Sequence, residues 1–364
     1  MIKILHYVSV MDRGGQETFI MNVYRNIDKT KVQFDFLCSI NIKGDYDDEI
    51  KELGGKIIYL DINRSGGKIT KYIKSYKNTV TFLKKYANDY EIVHLHNYHA
   101  FSSYLDVKAL KKAGFKHIVL HSHNTSAPRI KLHNIFKPLL SRDKNIVRFA
   151  CSNSAGKWLH GNKSFTVIYN GIDTNKFKYD ENERVNLRKE LGLENNFVIG
   201  MVGRFNYQKN HMFALEVFKK CIETNPNARL VLVGKGESGN DIKQKIAALG
   251  LGDKVIMLGT RDDVEKLMSA FDVLLMPSIF EGLPVVLVEA QYNGLNCVVS
   301  SVICREVVVS DLLHFVDLED SLDKWAKVLL SCPKHSVANI DNENFNIINV
   351  AKDLEEKYLD IASK

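Results

Sequence analysis

Short apolar runs alternate with longer stretches of helical periodicity along this chain, and the alternation restarts midway. In the first half, residues 2–10, 32–39, 56–59, 92–96, 117–121 and 148–151 read as strands. Residues 17–26, 47–53, 69–88, 100–113 and 154–159 read as helices between them. The scheme begins again with strands at 197–202, 229–233, 255–258, 273–276 and 297–300, with helices in the gaps. Strands separated by helices are joined by crossovers, which makes their sheets parallel. The pattern therefore predicts an α/β protein with two sheets, and 364 residues suffice for two domains. The turn pair Asn170-Gly171 and the charged stretch that runs to Glu194 mark the boundary between them. The domains are expected at 1–172 and 173–344. A last helical segment at 345–364 carries Ile347, Val350, Leu354, Tyr358 and Ile361 on one side.

Composition narrows the function classes. The longest apolar runs fall far short of the roughly 20 residues that span a bilayer. The N-terminus reads as a strand, and no small-residue cleavage site follows it as in a signal peptide. Six cysteines (38, 151, 221, 297, 304 and 332) form no CxxC pair, and several lie in apolar runs. They are expected to be buried, reduced thiols in a cytoplasmic protein. Residues 1–180 hold 29 Lys and Arg against 16 Asp and Glu, whereas residues 181–364 hold 21 against 27. Such a basic half beside an acidic half does not trace a nucleic-acid surface, so no nucleic-acid partner is expected. It suits a half that leans on an anionic membrane or acceptor, or a solvated lysine-rich surface.

The densest chemistry lies in the run from Pro277 to Ala290, which contains Glu281-Gly282-Leu283-Pro284 and, eight positions after the first glutamate, Glu289. Pro284 fits the first turn of a helix, where its missing N–H is no loss. The amides around Gly282 and Leu283 then lie near a positive helix end that favours phosphate. By helical periodicity Glu289 returns to the side of Glu281, and paired carboxylates accept hydrogen bonds from sugar hydroxyls.

This run resembles the glutamate–seven residues–glutamate element of retaining glycosyltransferases with the GT-B fold, of the family 4 or group 1 type found in capsule and exopolysaccharide synthesis. The resemblance covers nearly the whole chain and implies two Rossmann-like domains facing each other across a cleft. The C-terminal helix would cross back to the first domain. It also implies that Glu281, Gly282, Leu283 and Pro284 hold the donor sugar and that Glu289 holds the ribose. Four other elements match in family order. Met11-Asp12-Arg13-Gly14-Gly15-Gln16-Glu17 follows the first strand and resembles the family's glycine–glycine–x–glutamate loop, which places Gly15 by the donor diphosphate and acceptor. Gly203-Arg204 with Lys209 follows the first strand of the second half, where open sheets place ligands. These two cations would neutralise the diphosphate, and Asn210 replaces a glycine common in the family. His121-Ser122-His123 ends another strand; the resemblance favours His123 as the catalytic histidine in the cleft, with His121 structural. Asn170-Gly171-Ile172-Asp173 resembles the hinge.

Other readings compete with these. Gly234-Lys235-Gly236-Glu237-Ser238-Gly239 spells the dinucleotide fingerprint, but it follows the second strand of its half instead of the first. Asp45-Tyr46-Asp47 spells a metal-binding DxD, yet with Asp48 and Glu49 it reads as an acidic first helical turn. His94-Leu95-His96 suggests zinc, but no third ligand stands at convincing spacing. No metal and no resident cofactor are expected. The segment 129–144 mixes basic residues with Ile130, Leu132, Ile135, Phe136, Leu139 and Leu140. It suits either a membrane surface or a core-packed helix. The expected function is retaining transfer of a hexose or N-acetylhexosamine from a UDP-sugar to a glycan or polyprenyl-linked saccharide. A nicotinamide-dependent oxidoreductase and a non-catalytic sugar-nucleotide-binding protein remain as alternatives.

Overall fold

The computed structural model describes residues 1–60, 69–126, 129–333, 335, 340 and 342–364, without the side chains of 69–75. The chain divides into two units, Met1–Gly171 with Asn344–Lys364, and Ile172–Glu343.

The first unit winds strands β1 (Ile2–Val8), β2 (Val32–Cys38), β3 (Ile57–Tyr59), β4 (Ile92–His96), β5 (His117–Ser122), β6 (Val147–Ala150) and β7 (Thr166–Val167) into one sheet. The order is β3-β2-β1-β4-β5-β6-β7, and every pairing is parallel. Helices α1 (Gly15–Asn26), α2 (Asp47–Glu52), α3 (Ile69–Leu83), α4 (Ala100–Ala113), α5 (Ile130–Ser141) and α6 (Asn153–His160) connect them. The C-terminal helix Ile347–Ala362 joins this unit and packs on α1, burying Ile347, Val350, Leu354, Tyr358 and Ile361. Layers on both faces explain why β1 and β4 are apolar with so little alternation.

The second unit repeats the plan with β8 (Phe197–Val202), β9 (Ala228–Val233), β10 (Val255–Gly259), β11 (Val273–Met276), β12 (Cys297–Ser300) and β13 (Leu313–Val316). Their order is β10-β9-β8-β11-β12-β13, again all parallel. Its helices are α7 (Glu181–Glu190), α8 (His211–Thr224), α9 (Gly239–Ala248), α10 (Val264–Ala270), α11 (Val285–Asn293) and α12 (Leu322–Ser331).

Three local expectations change. The helix expected over 69–88 ends at Leu83, because the chain tightens into i→i−3 turns from Lys85 N to Phe82 O and from Tyr86 N to Leu83 O. Asn170-Gly171 forms no turn. Gly171 is small for another reason: a Cβ there would stand 3.0 Å from Ile347 Cα in the C-terminal helix. The charged stretch before Glu194 contains helix α7, capped by the Asp180 carboxylate, which accepts from Asn182 N and Glu183 N. All six cysteines are free thiols, four of them buried.

Candidate functional site

Strand order locates the crevice in the second unit. β8 and β11 are neighbours whose crossovers run in opposite directions, and such switch points hold ligands at the carboxyl ends of their strands. Two loops leave those ends, 203–210 after β8 and 277–284 after β11, and side chains stitch them together. Lys209 Nζ donates to Glu281 Oε1 at 2.8 Å, and Gln208 Nε2 donates to Glu281 Oε2 at 2.8 Å. Asn210 Nδ2 donates to the Pro277 carbonyl at 3.1 Å, and Ile279 N to the Gln208 carbonyl at 2.9 Å. Asn210 holds φ 58°, ψ 45°, the left-handed region that only Gly, Asn and Asp enter readily. The asparagine therefore meets the backbone demand of a glycine and adds a cross-link between the loops.

Glu281 is buried, and its carboxylate accepts from both Lys209 and Gln208. Pro284 does not lie in the first turn of α11 but caps it, with helix starting at Val285. Glu281 thus sits in the loop, so the loop and not helical periodicity sets its position relative to Glu289. Gly282 and Leu283 precede the cap, and the first α11 amides, like those of any helix, lack intrahelical acceptors. Glu289 rides in the body of α11, where burial pushes its carboxyl up to about 7. Lys176 opposes that rise and Glu265 adds to it; those two side chains pair with each other at 3.5 Å. Arg204 is exposed and pairs with Glu237 at 3.1 Å. The turn that spells the dinucleotide fingerprint has a packing role. A Cβ on Gly234 would stand 2.0 Å from the Gly203 carbonyl, so the glycine lets the β9 loop lie against the β8 loop.

In the first unit the equivalent switch point lies between β1 and β4. Gly14 caps α1. A Cβ there would stand 2.3 Å from Glu17 Oε2, the mobile end of a side chain that can turn aside. A Cβ on Gly15 would meet no described atom within 4 Å. His123 follows β5, half-buried, with Nε2 2.8 Å from His96 Nδ1. Burial lowers its pKa to about 3, so it is a neutral donor or acceptor near pH 7 and not a charged acid. His121 is fully buried and pairs with His94. The His94–His96 pair, which lacked a third histidine by spacing, gains companions by register: His94 stands beside His6, and His96 beside His121. Spacing alone also missed Gln208 and Lys176, whose roles arise only when distant loops meet.

The basic segment 129–144 contains α5, which packs part of its surface into the core, one of the two readings given for it. His133 and Leu140 are buried, while Ile130, Ile135 and Leu139 are exposed. No described helix is long and apolar enough to cross a membrane.

Comparison with known proteins identifies the family and agrees with the fold. The family model described as Glycosyltransferase Family 4 matches residues 13–176, and that described as Glycosyl transferases group 1 matches residues 183–327. The Bacillus subtilis protein named as glycosyltransferase EpsF is 34% identical over 341 residues, covering 90% of this chain and 86% of that one. An Escherichia coli UDP-Gal:alpha-D-GlcNAc-diphosphoundecaprenol alpha-1,3-galactosyltransferase is 30% identical over 314 residues, covering 79% and 80%. Anabaena Alr3699/HepE, solved in complex with UDP-glucose, superposes with a TM-score of 0.80 over 99% of this chain and all of that one; at 20% identity this speaks for the GT-B fold alone. With two parallel-sheet units, each matched by one half of the family, the chain belongs to the family 4, or group 1, glycosyltransferases.

Proposed function

We propose that the protein transfers a hexose or N-acetylhexosamine from a UDP-sugar to a lipid-linked saccharide, with retention of anomeric configuration, during synthesis of a cell-surface polysaccharide. The observation that carries this reading is the knot of Lys209, Gln208 and Glu281 at the switch point, in the loop that leads into α11. Arg204, Lys209 and the α11 amides neutralise the diphosphate. Glu281 accepts from sugar hydroxyls, with Gly282 to Pro284 beside it, and Glu289 accepts from the ribose. Gly15 and His123 serve the acceptor side. In the step itself the acceptor oxygen bonds to the anomeric carbon as the bond from that carbon to the phosphate oxygen breaks. The acceptor proton passes to the departing phosphate on the same face. Stabilising charge on the leaving group supplies most of the rate, and no metal or resident cofactor takes part.

The names of the relatives support the donor and acceptor classes. The E. coli relative is named for a UDP-sugar donor and a diphosphoundecaprenol acceptor, and a Staphylococcus aureus relative, CapH, for capsular polysaccharide biosynthesis. The exposed Ile130, Ile135 and Leu139 beside Lys131 and Arg142 suit contact with an anionic membrane, where such an acceptor resides.

The test is transfer from a panel of UDP-sugars to a polyprenyl-diphosphate saccharide in EDTA, with the product anomer read by NMR. An α-linked product from an α-UDP-sugar is expected. A β-linked product, a requirement for added metal, or neither transfer nor donor hydrolysis from any sugar nucleotide would overturn the corresponding part.

A further inference from the structure

Five histidines line one face of the first unit's sheet: His6 on β1, His94 and His96 on β4, and His121 and His123 at the end of β5. They form two hydrogen-bonded files. In one, His6 Nδ1 meets His96 Nε2 at 2.9 Å and His96 Nδ1 meets His123 Nε2 at 2.8 Å. In the other, the Tyr358 hydroxyl meets His94 Nδ1, and His94 Nε2 meets His121 Nδ1 at 3.1 Å. The outer nitrogens, Nε2 of His6 and of His121 and Nδ1 of His123, are buried without a hydrogen-bond partner among the described residues. Burial lowers the pKa of all five rings, so each is neutral near pH 7.

A neutral imidazole carries one N–H and one lone pair, and a nitrogen–nitrogen contact of 2.8 Å needs one of each. Fixing the proton on His96 therefore fixes those on His6 and His123, and the file has only two arrangements. In one, His123 carries an Nδ1–H on the side away from the file; in the other, it carries an Nδ1 lone pair there, with each ring's proton on its other nitrogen. A shared metal fits these contacts less well. Two imidazoles on tetrahedral zinc, with Zn–N near 2.0–2.1 Å, hold their nitrogens about 3.3 Å apart and aim both lone pairs at the ion.

We propose that His6 and His96 are positioning residues that decide, through this file, whether His123 meets a ligand as a donor or as an acceptor. The proposal rests on the reading of His123 as the acceptor-side histidine. Its chemical content is a choice of tautomer imposed from the sheet interior on a residue at the strand end.

The full-length protein labelled with 15N-histidine tests it, because imidazole 15N shifts distinguish a protonated nitrogen from a lone-pair nitrogen. His6→Phe removes the inner end of the file between Phe36, which stacks on that ring, and Phe34, which meets it edge-on. The His123 tautomer ratio is expected to change by about fivefold to tenfold, the worth of one buried hydrogen bond. His123→Phe is expected to change the His6 ratio reciprocally. The His94–His121 file, which ends on Tyr358, should keep its shifts and so serves as the control for folding. His6→Gln, which retains a donor and an acceptor, should return the His123 ratio toward that of the wild type. An unmoved His123 pattern in His6→Phe with the control file intact would overturn the proposal, as would tight one-to-one zinc uptake in calorimetry or failure of His6→Gln to rescue. In transfer assays, His6→Phe should lower kcat and leave the KM for the UDP-sugar unchanged. A tautomer shift without any change in kcat would keep the file and remove His123 from the acceptor site.

Discussion

Lys209 and Glu281 meet where the second sheet reverses its winding, and their side chains are only 15% and 7% exposed. Removing one partner of such a pair strands a charge, whereas removing both does not. Lys209→Ala is therefore expected to destabilise the protein by about 3–5 kcal/mol in urea unfolding, and adding Glu281→Ala should return part of that loss. Strictly additive losses would show that the two side chains are not coupled. Both variants should lack transfer, so a loss of activity on its own does not separate binding from folding; Glu281→Gln, which still fills the space, is the cleaner probe of the sugar contact. Glu289 makes a separate prediction in pH. Its carboxyl is raised from 4.5 to about 7, so its contribution to stability is full below pH 4.5 and is lost as pH rises to about 7. Ribose hydroxyls prefer the ionised form as acceptor. UDP affinity measured by calorimetry should therefore strengthen as pH rises through about 7, and Glu289→Gln should flatten the profile. A wild-type profile as flat as that of the variant would take Glu289 out of the nucleotide site.

Among the elements, α7 shows how a helix can be held with little apolar contact. Leu187 and Arg188 are its buried residues, and two arginines anchor it to Asp272: Arg184 Nη2 at 2.5 Å and Arg188 Nη2 at 2.5 Å, with Val198 N also donating to Asp272 at 2.7 Å. Asp272→Ala leaves two guanidinium groups without their carboxylate. It should cost about 3–5 kcal/mol in urea unfolding. Transfer at 25 °C should be unaffected, because Asp272 precedes β11 at the end away from Pro277; lost transfer in a folded variant would contradict this placement. The same helix shows what the sequence withholds. Strands β1, β4, β8 and β11 announce themselves because helices cover both faces and most positions are apolar. Helix α7 reads as a charged linker because ion pairs, not an apolar stripe, dock it. β7 has two residues, too few for any period to register. At the site, Glu281 and Lys209 were legible through their surrounding motifs, whereas the Gln208–Glu281 and Asn210–Pro277 contacts depend on loops about 70 positions apart being brought together by strand order. The histidine files were invisible for a related reason: they follow from the register of β1, β4 and β5.

At the scale of the whole molecule the two units differ in how the chain builds them. The second is one continuous segment, Ile172–Glu343, whereas the first needs both Met1–Gly171 and Asn344–Lys364. The restart of the strand–helix alternation gave away the doubled plan in the sequence, and the periodic face of the last helix gave away an element with something to bury. Which unit it joins is decided by tertiary fit, with Ile347 against Gly171 and Tyr358 bonded to His94. Continuity has an experimental consequence. The Lys209–Glu281 knot, α11, Glu289 with Lys176 and Glu265, and the Asp272 clamp all lie within the second unit. Its length is that of an ordinary single domain with its own core. Residues 172–343 expressed alone should therefore fold cooperatively and bind UDP. UDP at a hundredfold excess over its dissociation constant should stabilise the fragment by about 2.7 kcal/mol, visible as a rise in Tm. Lys209→Ala in the same fragment should abolish that rise. If the fragment melts cooperatively but UDP does not move its Tm, the nucleotide draws essential contacts from the first unit, and the assignment of the donor to one unit fails.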